Sequence, residues 1–291
     1  MTWLSWIIAN LFVLAVAGVG LAAYGSRRWA GSSQSLIRQL EADRPDSKVR
    51  SPSAARYHSR ELEGLPTPVQ RYFRAVLKEG QPIVVAATIE LVGKINMSAT
   101  GEQWRPFTST QRVVTRRPGF LWDADVALFP GLPVRVIDGY ADGIGRLRAA
   151  VLGLFAVADV HGGGEIARGE FMRWFAEAAW YPTALLPSQG VRWEAVDDAS
   201  ANATIVDDSL TVTLLFGFDD AGPIASVRAA ARGAGVGKDM VMLPWVCTLS
   251  NYQLQQGMLL PMAGEAAWER PEGRRTYFRG AVSLLRVSFS L

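Results

Sequence analysis

The sequence predicts a mainly β (α+β) fold, an antiparallel curved sheet or half-barrel with a packed central helix, preceded by one N-terminal transmembrane helix. Three observations predict it. Trp3–Tyr24 is apolar and uncharged, one stretch near the middle keeps a helical period, and most of the chain after Pro82 alternates with a period of two between turn residues. With 291 residues, 49% of them hydrophobic, the chain is long and apolar enough to bury a sizeable core.

The N-terminal segment comes first. At ~1.5 Å per residue, Trp3–Tyr24 reaches ~33 Å as a helix, enough for the hydrocarbon layer of a bilayer. Trp3, Trp6, Tyr24 and Trp29 lie toward its ends, where interfacial anchors belong. A cleaved signal peptide would use Ala23-Tyr24-Gly25, but the basic n-region is missing and the apolar run is over-long. Residues 1–26 therefore read as a retained single-pass anchor. Arg27, Arg28 and Arg38 follow it and no basic residue precedes it, which places the large domain in the cytoplasm by the positive-inside rule. Few charges set this orientation, and the extracytoplasmic alternative stays open.

Residues 27–64 are polar, with Gly31-Ser32-Ser33 and prolines at 45 and 52, and read as a stalk or linker, docked in part, with a short helix around Leu36–Ala42. Residues 65–291 read as a single β-rich domain. It opens with a helix whose cap is Thr67 and whose first position is Pro68, with Val69, Tyr72, Phe73 and Val76 on the packed face.

Strands are expected at Ile83–Val92, Lys94–Thr100, Phe107–Thr115 and Gly119–Leu128, then at Leu132–Asp138 and Ile144–Ala150 around a turn. In the fourth, Trp122 shares a face with Phe120 and Ala124, while Asp123 and Asp125 form an acidic pair expected to face solvent. Ala149–Val160 is apolar but too short to span a membrane, and reads as a buried strand, or as a loop that dips into lipid or covers a cavity. After Pro187, strands are expected at Val191–Val196, Ala201–Val206, Leu210–Phe218, Ile224–Ala229, Leu243–Leu249, Met258–Met262, Glu265–Glu269 and Thr276–Phe289.

The central stretch is Glu165–Pro187. Phe171, Trp174, Phe175 and Ala178 share one helical face, and Glu170, Arg173 and Glu177 share another, spaced for ion pairing. Pro182 ends the helix near Ala179 or Trp180. Glu170 and Glu177 lie about 10 Å apart along the axis, too far to share a proton. This charged face reads as an ion-pair face, exposed or structural, in preference to a catalytic cluster.

Several motifs fail inspection. Asp138–Asp142 begins like a calcium loop, but Tyr140 and Ala149 stand where ligands are needed. His161-Gly162-Gly163-Gly164 resembles an esterase oxyanion loop, yet the chain has no Gly-x-Ser-x-Gly elbow. Gly233–Asp239 resembles a phosphate loop, but Arg232 replaces the first glycine and Asp239 the Ser/Thr. The two histidines, His58 and His161, have no spaced ligand partners, and Cys247 is the only cysteine, so no metal site and no cofactor are expected. The net charge of +3 is spread over isolated pairs such as Arg116-Arg117 and Arg274-Arg275, with no basic stripe for nucleic acid.

One resemblance stands out. Gly169-Glu170, Arg173–Ala178, Trp180–Pro187 and Val191-Arg192-Trp193, with Phe120–Ala124, Asp138-Gly139-Tyr140, Pro244-Trp245, Gly257 with Pro261, Trp268 and Tyr277-Phe278-Arg279, are similar to the signature of an uncharacterised bacterial family of membrane-associated proteins, domain of unknown function number 6544. The resemblance implies a single domain and membrane association, and no activity. The predicted layout is also similar to the lipoprotein-carrier half-barrels of bacterial envelopes.

The expected function is a non-catalytic, membrane-anchored domain that binds a lipid or other hydrophobic ligand between sheet and helix. Its lining is expected from Trp122, Phe155, Phe171, Arg173, Trp174, Phe175, Glu177 and Trp180. A dry groove would favour it, and convergent polar groups would weigh against it. The alternatives are a carboxylate-dependent enzyme using Glu170, Arg173 and Glu177 with Asp123 or Asp138, and an envelope component that binds another protein through a strand edge or the Ala149–Val160 run.

Overall fold

In the computed structural model, which describes residues 3–42, 56–98, 101–129, 131–235 and 240–289, thirteen antiparallel strands form one open, curved sheet. The first meander is β1 (Val84–Asn96), β2 (Trp104–Val114), β3 (Gly119–Phe129), β4 (Leu132–Ala141), β5 (Ile144–Val151) and β6 (Phe155–Gly162). The second is β7 (Arg192–Asp197), β8 (Ser200–Asp207), β9 (Leu210–Phe218), β10 (Ile224–Ala234), β11 (Val241–Gln255), β12 (Met258–Arg270) and β13 (Gly273–Phe289). Pairing of β1 with β13 joins the two meanders and leaves β6 and β7 as the edges. The chain must pass from one edge to the other between β6 and β7. It does so through helix α3, residues Gly164–Ala176, which lies inside the curve against β3–β6 on one side and β9–β10 on the other.

Helix α1 (Trp3–Glu41) and helix α2 (Thr67–Val76) precede the sheet. The first half of α1 is exposed, and α1 is long and apolar enough to cross a membrane. Helix α2 buries Val69, Tyr72, Phe73 and Val76, as its period requires, but its cap is Pro66 and not Thr67. The core lies between the concave face, α2 and α3.

The structure differs from expectation in several further places. Residues 27–41 are docked, and their helix is longer than the short one expected around Leu36–Ala42, continuing α1 without a break. Trp29, Ser33 and Leu40 are buried against the convex face, and Trp29 Nε1 donates to Asp123 Oδ1 (3.0 Å). The rest of that expected linker is outside the described residues from 43 to 55, and beyond it Tyr57 and Leu62 are buried in the core. The acidic pair on β3 accordingly lies on the α1 side and is half-buried, with Asp125 ion-paired to Arg135 (3.1 Å).

Lys94–Thr100 is not a separate strand. Gly93 sits opposite Gly280, and a Cβ there would meet the Arg279 carbonyl and the Phe107 ring, so the glycine lets a continuous β1 pass beneath that ring. Met258–Met262 and Glu265–Glu269 likewise merge into β12. The apolar run Ala149–Val160 is not a buried strand, nor a loop over the cavity. It ends β5, turns at Leu152-Gly153 and forms edge strand β6, where Phe155 and Val157 are exposed. The Asp142-Gly143 turn between β4 and β5 puts both residues at positive φ, which Asp-Gly tolerates. In the loop resembling a phosphate site, Gly233 and Ala234 belong to β10, and 236–239 lie outside the described residues.

Candidate functional site

The helical period of α3 divides its side chains between two buried faces. Phe171, Trp174 and Phe175 pack into the core. Phe171 stacks on Tyr140 (5.0 Å between ring centres), Trp174 Nε1 donates to the Val114 carbonyl (3.2 Å), and Phe175 meets Phe216 edge-on (5.6 Å). On the other side Arg173, Ala176, Glu177 and Trp180 line a cavity of about 310 Å³. Opposite them stand Trp122 of β3, Trp245 of β11, Trp268 of β12, and Tyr277 and Phe278 of β13.

Of the expected lining residues, then, Trp122, Arg173, Glu177 and Trp180 converge. Phe171, Trp174 and Phe175 lie behind them in the core, and Phe155 is 58% exposed on the far edge strand. Both faces of α3 are enclosed by the curved sheet, and Arg173 and Glu177 on the charged face are only 13% and 14% exposed, which makes it the structural ion-pair face of the two readings.

The base of the cavity is an ion-pair network. Arg173 donates from Nη1 to Asp138 Oδ2 (2.6 Å), from Nε to Glu177 Oε1 (2.8 Å) and from Nη2 to Gln111 Oε1 (3.3 Å). Gln111 Nε2 closes the ring on Glu177 Oε2 (2.7 Å). The Arg173 guanidinium also lies over the rings of Phe120 and Trp122, 4.9 and 5.1 Å from their centres.

A second arginine, Arg232, donates from Nε to the Gly169 carbonyl (2.9 Å) and from Nη2 to Glu170 Oε1 (3.3 Å). It lies over Trp245 and Trp268. Alternation from Val227 and Ala229 would turn Arg232 outward. A bulge between Ala229 and Arg232 leaves Ala230 and Ala231 exposed and resets the parity, so Arg232 points in.

Burial governs the electrostatics. Glu170 is pushed up to about 8, first by desolvation and then by the nearby Asp138 carboxylate, with Arg232 opposing. Burial raises Asp138 too, against the pull of Arg173. Burial works against the charged form of Arg173, but Glu177, Asp138 and Glu170 outweigh it and hold the guanidinium above its ordinary value. At neutral pH Glu170 is thus mainly the neutral acid.

Some polar capacity is left over. Trp122 Nε1, Asp138 Oδ1 and Glu170 Oε2 are buried without hydrogen-bond partners among the described residues. Cys247 also lines the cavity, and burial pushes its thiol up to about 12. Among the described residues no group of three or more His, Cys, Asp or Glu is arranged to hold a metal ion.

Fold and site together define an open antiparallel half-barrel that encloses a helix and an aromatic cavity with a charged base. Residues 63–286 match the model of a family described as "Family of unknown function (DUF6920)", and the chain belongs to that family. This corrects the resemblance to family 6544: the match is to a different family of unknown function. No curated protein matches the chain. Among solved structures the chain is similar to a LolA superfamily protein from Nitrosomonas europaea, at 12% identity and a TM-score of 0.31, covering 76% of this chain and 92% of that one. It is also similar to a beta-barrel-like protein of domain of unknown function DUF1849 from Brucella abortus, at 10% identity and a TM-score of 0.22, covering 71% of this chain and 99% of that one.

Proposed function

We propose that the protein is a membrane-anchored, non-catalytic domain that binds a lipid or other hydrophobic ligand in the cavity between the curved sheet and α3. The observation that carries this reading is the cavity itself, about 310 Å³ and walled by Trp122, Trp180, Trp245, Trp268 and Phe278. That volume is at the lower end of ligand pockets, and such walls suit an apolar body. The convergent polar base speaks against a purely apolar ligand, so the reading narrows to an amphiphile. Its polar end would lie toward the charged base that Arg173, Asp138, Glu177 and Arg232 give the cavity. Residues 1–26 serve as the anchor, residues 65–291 as one domain, and Arg27, Arg28 and Arg38 favour a cytoplasmic placement.

The test is mass spectrometry of organic extracts from purified Gly25–Leu291, a fragment that keeps the docked half of α1. A stoichiometric amphiphile, lost when Ala266→Phe fills the cavity, is the expected result. A monodisperse, ligand-free protein would overturn the reading.

A second reading, a carboxylate-dependent enzyme, is favoured by one observation: Asp138 and Glu170 are buried carboxyls raised above their ordinary range beside two arginines. Against it, the three carboxylates that line the cavity are already paired, Asp138 and Glu177 with Arg173 and Glu265 with Arg279.

A further inference from the structure

Helix α1 contains no proline and runs unbroken from Trp3 to Glu41, so its exposed apolar half and its docked half are one rod. The docked half lies along the convex face of the first meander. Gly25 is pressed against the β5–β6 turn, where a Cβ would meet the Leu152 carbonyl and the Leu154 side chain. Arg135 on β4 donates to Ser26 Oγ (3.2 Å), and Trp29 lies beneath the Arg148 guanidinium of β5. At the other end, Leu40 lies against Gly119 at the start of β3, and Arg117 donates to the Ala42 carbonyl (2.9 Å). The apolar half therefore leaves the domain at the end of the sheet that carries the β1–β2, β3–β4 and β5–β6 turns.

That end carries three large exposed apolar side chains close to the apolar half of α1. Met97, Phe129 and Phe155 stand at these three turns, 46%, 59% and 58% exposed. The turns are neighbours: Leu152 N–H donates to the Pro133 carbonyl (2.9 Å), and the Arg105 guanidinium lies over the Phe129 ring (5.6 Å). Adjacent strands are ~4.8 Å apart, so the β3–β4 and β5–β6 turns lie ~10 Å from each other. The β5–β6 turn touches α1 one residue beyond Tyr24, where the uncharged segment ends. The interfacial layer on each side of a bilayer is about 5–7 Å deep, so this turn falls within it. Arg27, Arg28 and Arg105 supply positive charge at the same level.

We propose that the rim marked by Met97 just beyond β1, Phe129 at the end of β3 and Phe155 beside the β5–β6 turn is a membrane-contact surface, seated on the leaflet that α1 enters. It rests on the reading of Trp3–Tyr24 as a membrane span and not on the ligand reading. The cavity reaches the same end of the strands through Ile95, next to the β1–β2 turn, and through Val136 and Phe278. An amphiphile would then exchange with the leaflet over a short path instead of crossing water.

The test uses the full chain with Cys247→Ser, in vesicles of phosphatidylcholine and phosphatidylglycerol. A single cysteine at Phe129, Phe155, Ile144 or Leu254 carries an environment-sensitive fluorophore. All four positions are exposed, and Ile144 and Leu254 lie toward the opposite strand ends. The expected result is blue-shifted emission at 129 and 155, quenched by spin-labelled lipids, with emission at 144 and 254 unmoved. Water-like, unquenched emission at all four positions in carbonate-resistant protein would overturn the contact surface alone. Extraction of the protein by alkaline carbonate would overturn both the span and the surface. A ligand-free cavity with quenched rim probes would remove the ligand reading and leave the surface standing.

Discussion

Arg173 Nη1 lies 2.6 Å from Asp138 Oδ2, tying the middle of α3 to the concave face of β4 with both side chains about 15% exposed or less. The same guanidinium holds Glu177. Removing it strands two partly buried carboxylates. Arg173→Met is expected to cost ~3–5 kcal/mol, and pairing it with Asp138→Asn should recover part of that loss. Denaturant titration of the two variants measures both effects. A loss below ~1 kcal/mol would put this pair in the class of surface bridges.

Glu170 makes stability depend on pH. Its ordinary value is 4.5 and burial pushes it up to about 8, so the folded state holds a proton that the unfolded state releases between those values. This contribution to stability is fully present below 4.5 and is lost as pH rises through about 8. Asp138, also raised, acts with the same sign. Melting temperature should therefore fall from mildly acidic to mildly alkaline pH. Glu170→Gln keeps an oxygen for Arg232 Nη2 and should flatten that slope, with its advantage growing as pH rises. Identical slopes in the two proteins would rule out Glu170 as the group responsible.

These pH-active residues mark what the sequence could and could not reveal. Period-two alternation and turn residues located most of the strands, and 3.6-residue spacing located α2 and both faces of α3. Spacing says which side chains share a face, but not what the face meets. The aromatic face of α3 was the natural candidate for a cavity lining, yet the sheet curls around the helix and the cavity lies on the charged face. Arg232 was hidden for a different reason. The bulge that turns it inward has no strong local signal beyond two consecutive exposed alanines. The β1–β13 pairing joins distant parts of the chain, and no local pattern encodes it.

Cys247 reports on the cavity directly, because it is the chain's only cysteine and lines the wall. Its ordinary value is 9.0, and burial pushes it up to about 12, so the thiolate fraction at neutral pH drops roughly a thousandfold. A more basic thiolate is more nucleophilic, which offsets part of that. The net slowing toward an aromatic disulfide reagent should be roughly 30- to 60-fold, before steric access is counted. Stopped-flow comparison of native and urea-unfolded protein checks this. Equal rates would mean that Cys247 is neither buried nor facing a closed wall.

The docking of α1 gives a prediction in which two effects of one substitution oppose each other. Alanine in place of a helical glycine should favour an isolated helix by ~0.5–1 kcal/mol, since it removes backbone freedom from the unfolded chain. At Gly18, where nothing lies within 4 Å, only that gain operates, and Gly18→Ala should leave docking unchanged. At Gly25 the new Cβ would run into the Leu152 carbonyl and the Leu154 side chain. The first of these is backbone and cannot rotate away, so overpacking of ~1–3 kcal/mol should outweigh the gain. Gly25→Ala is thus expected to loosen residues 25–41 from the convex face while leaving the sheet folded. Hydrogen exchange should register faster amide exchange in that part of α1, and solvent exposure of Trp29 should red-shift tryptophan emission. If Gly25→Ala protected α1 as well as Gly18→Ala does, the close approach of Gly25 to the β5–β6 turn would be excluded as the contact that fixes the anchor to the domain.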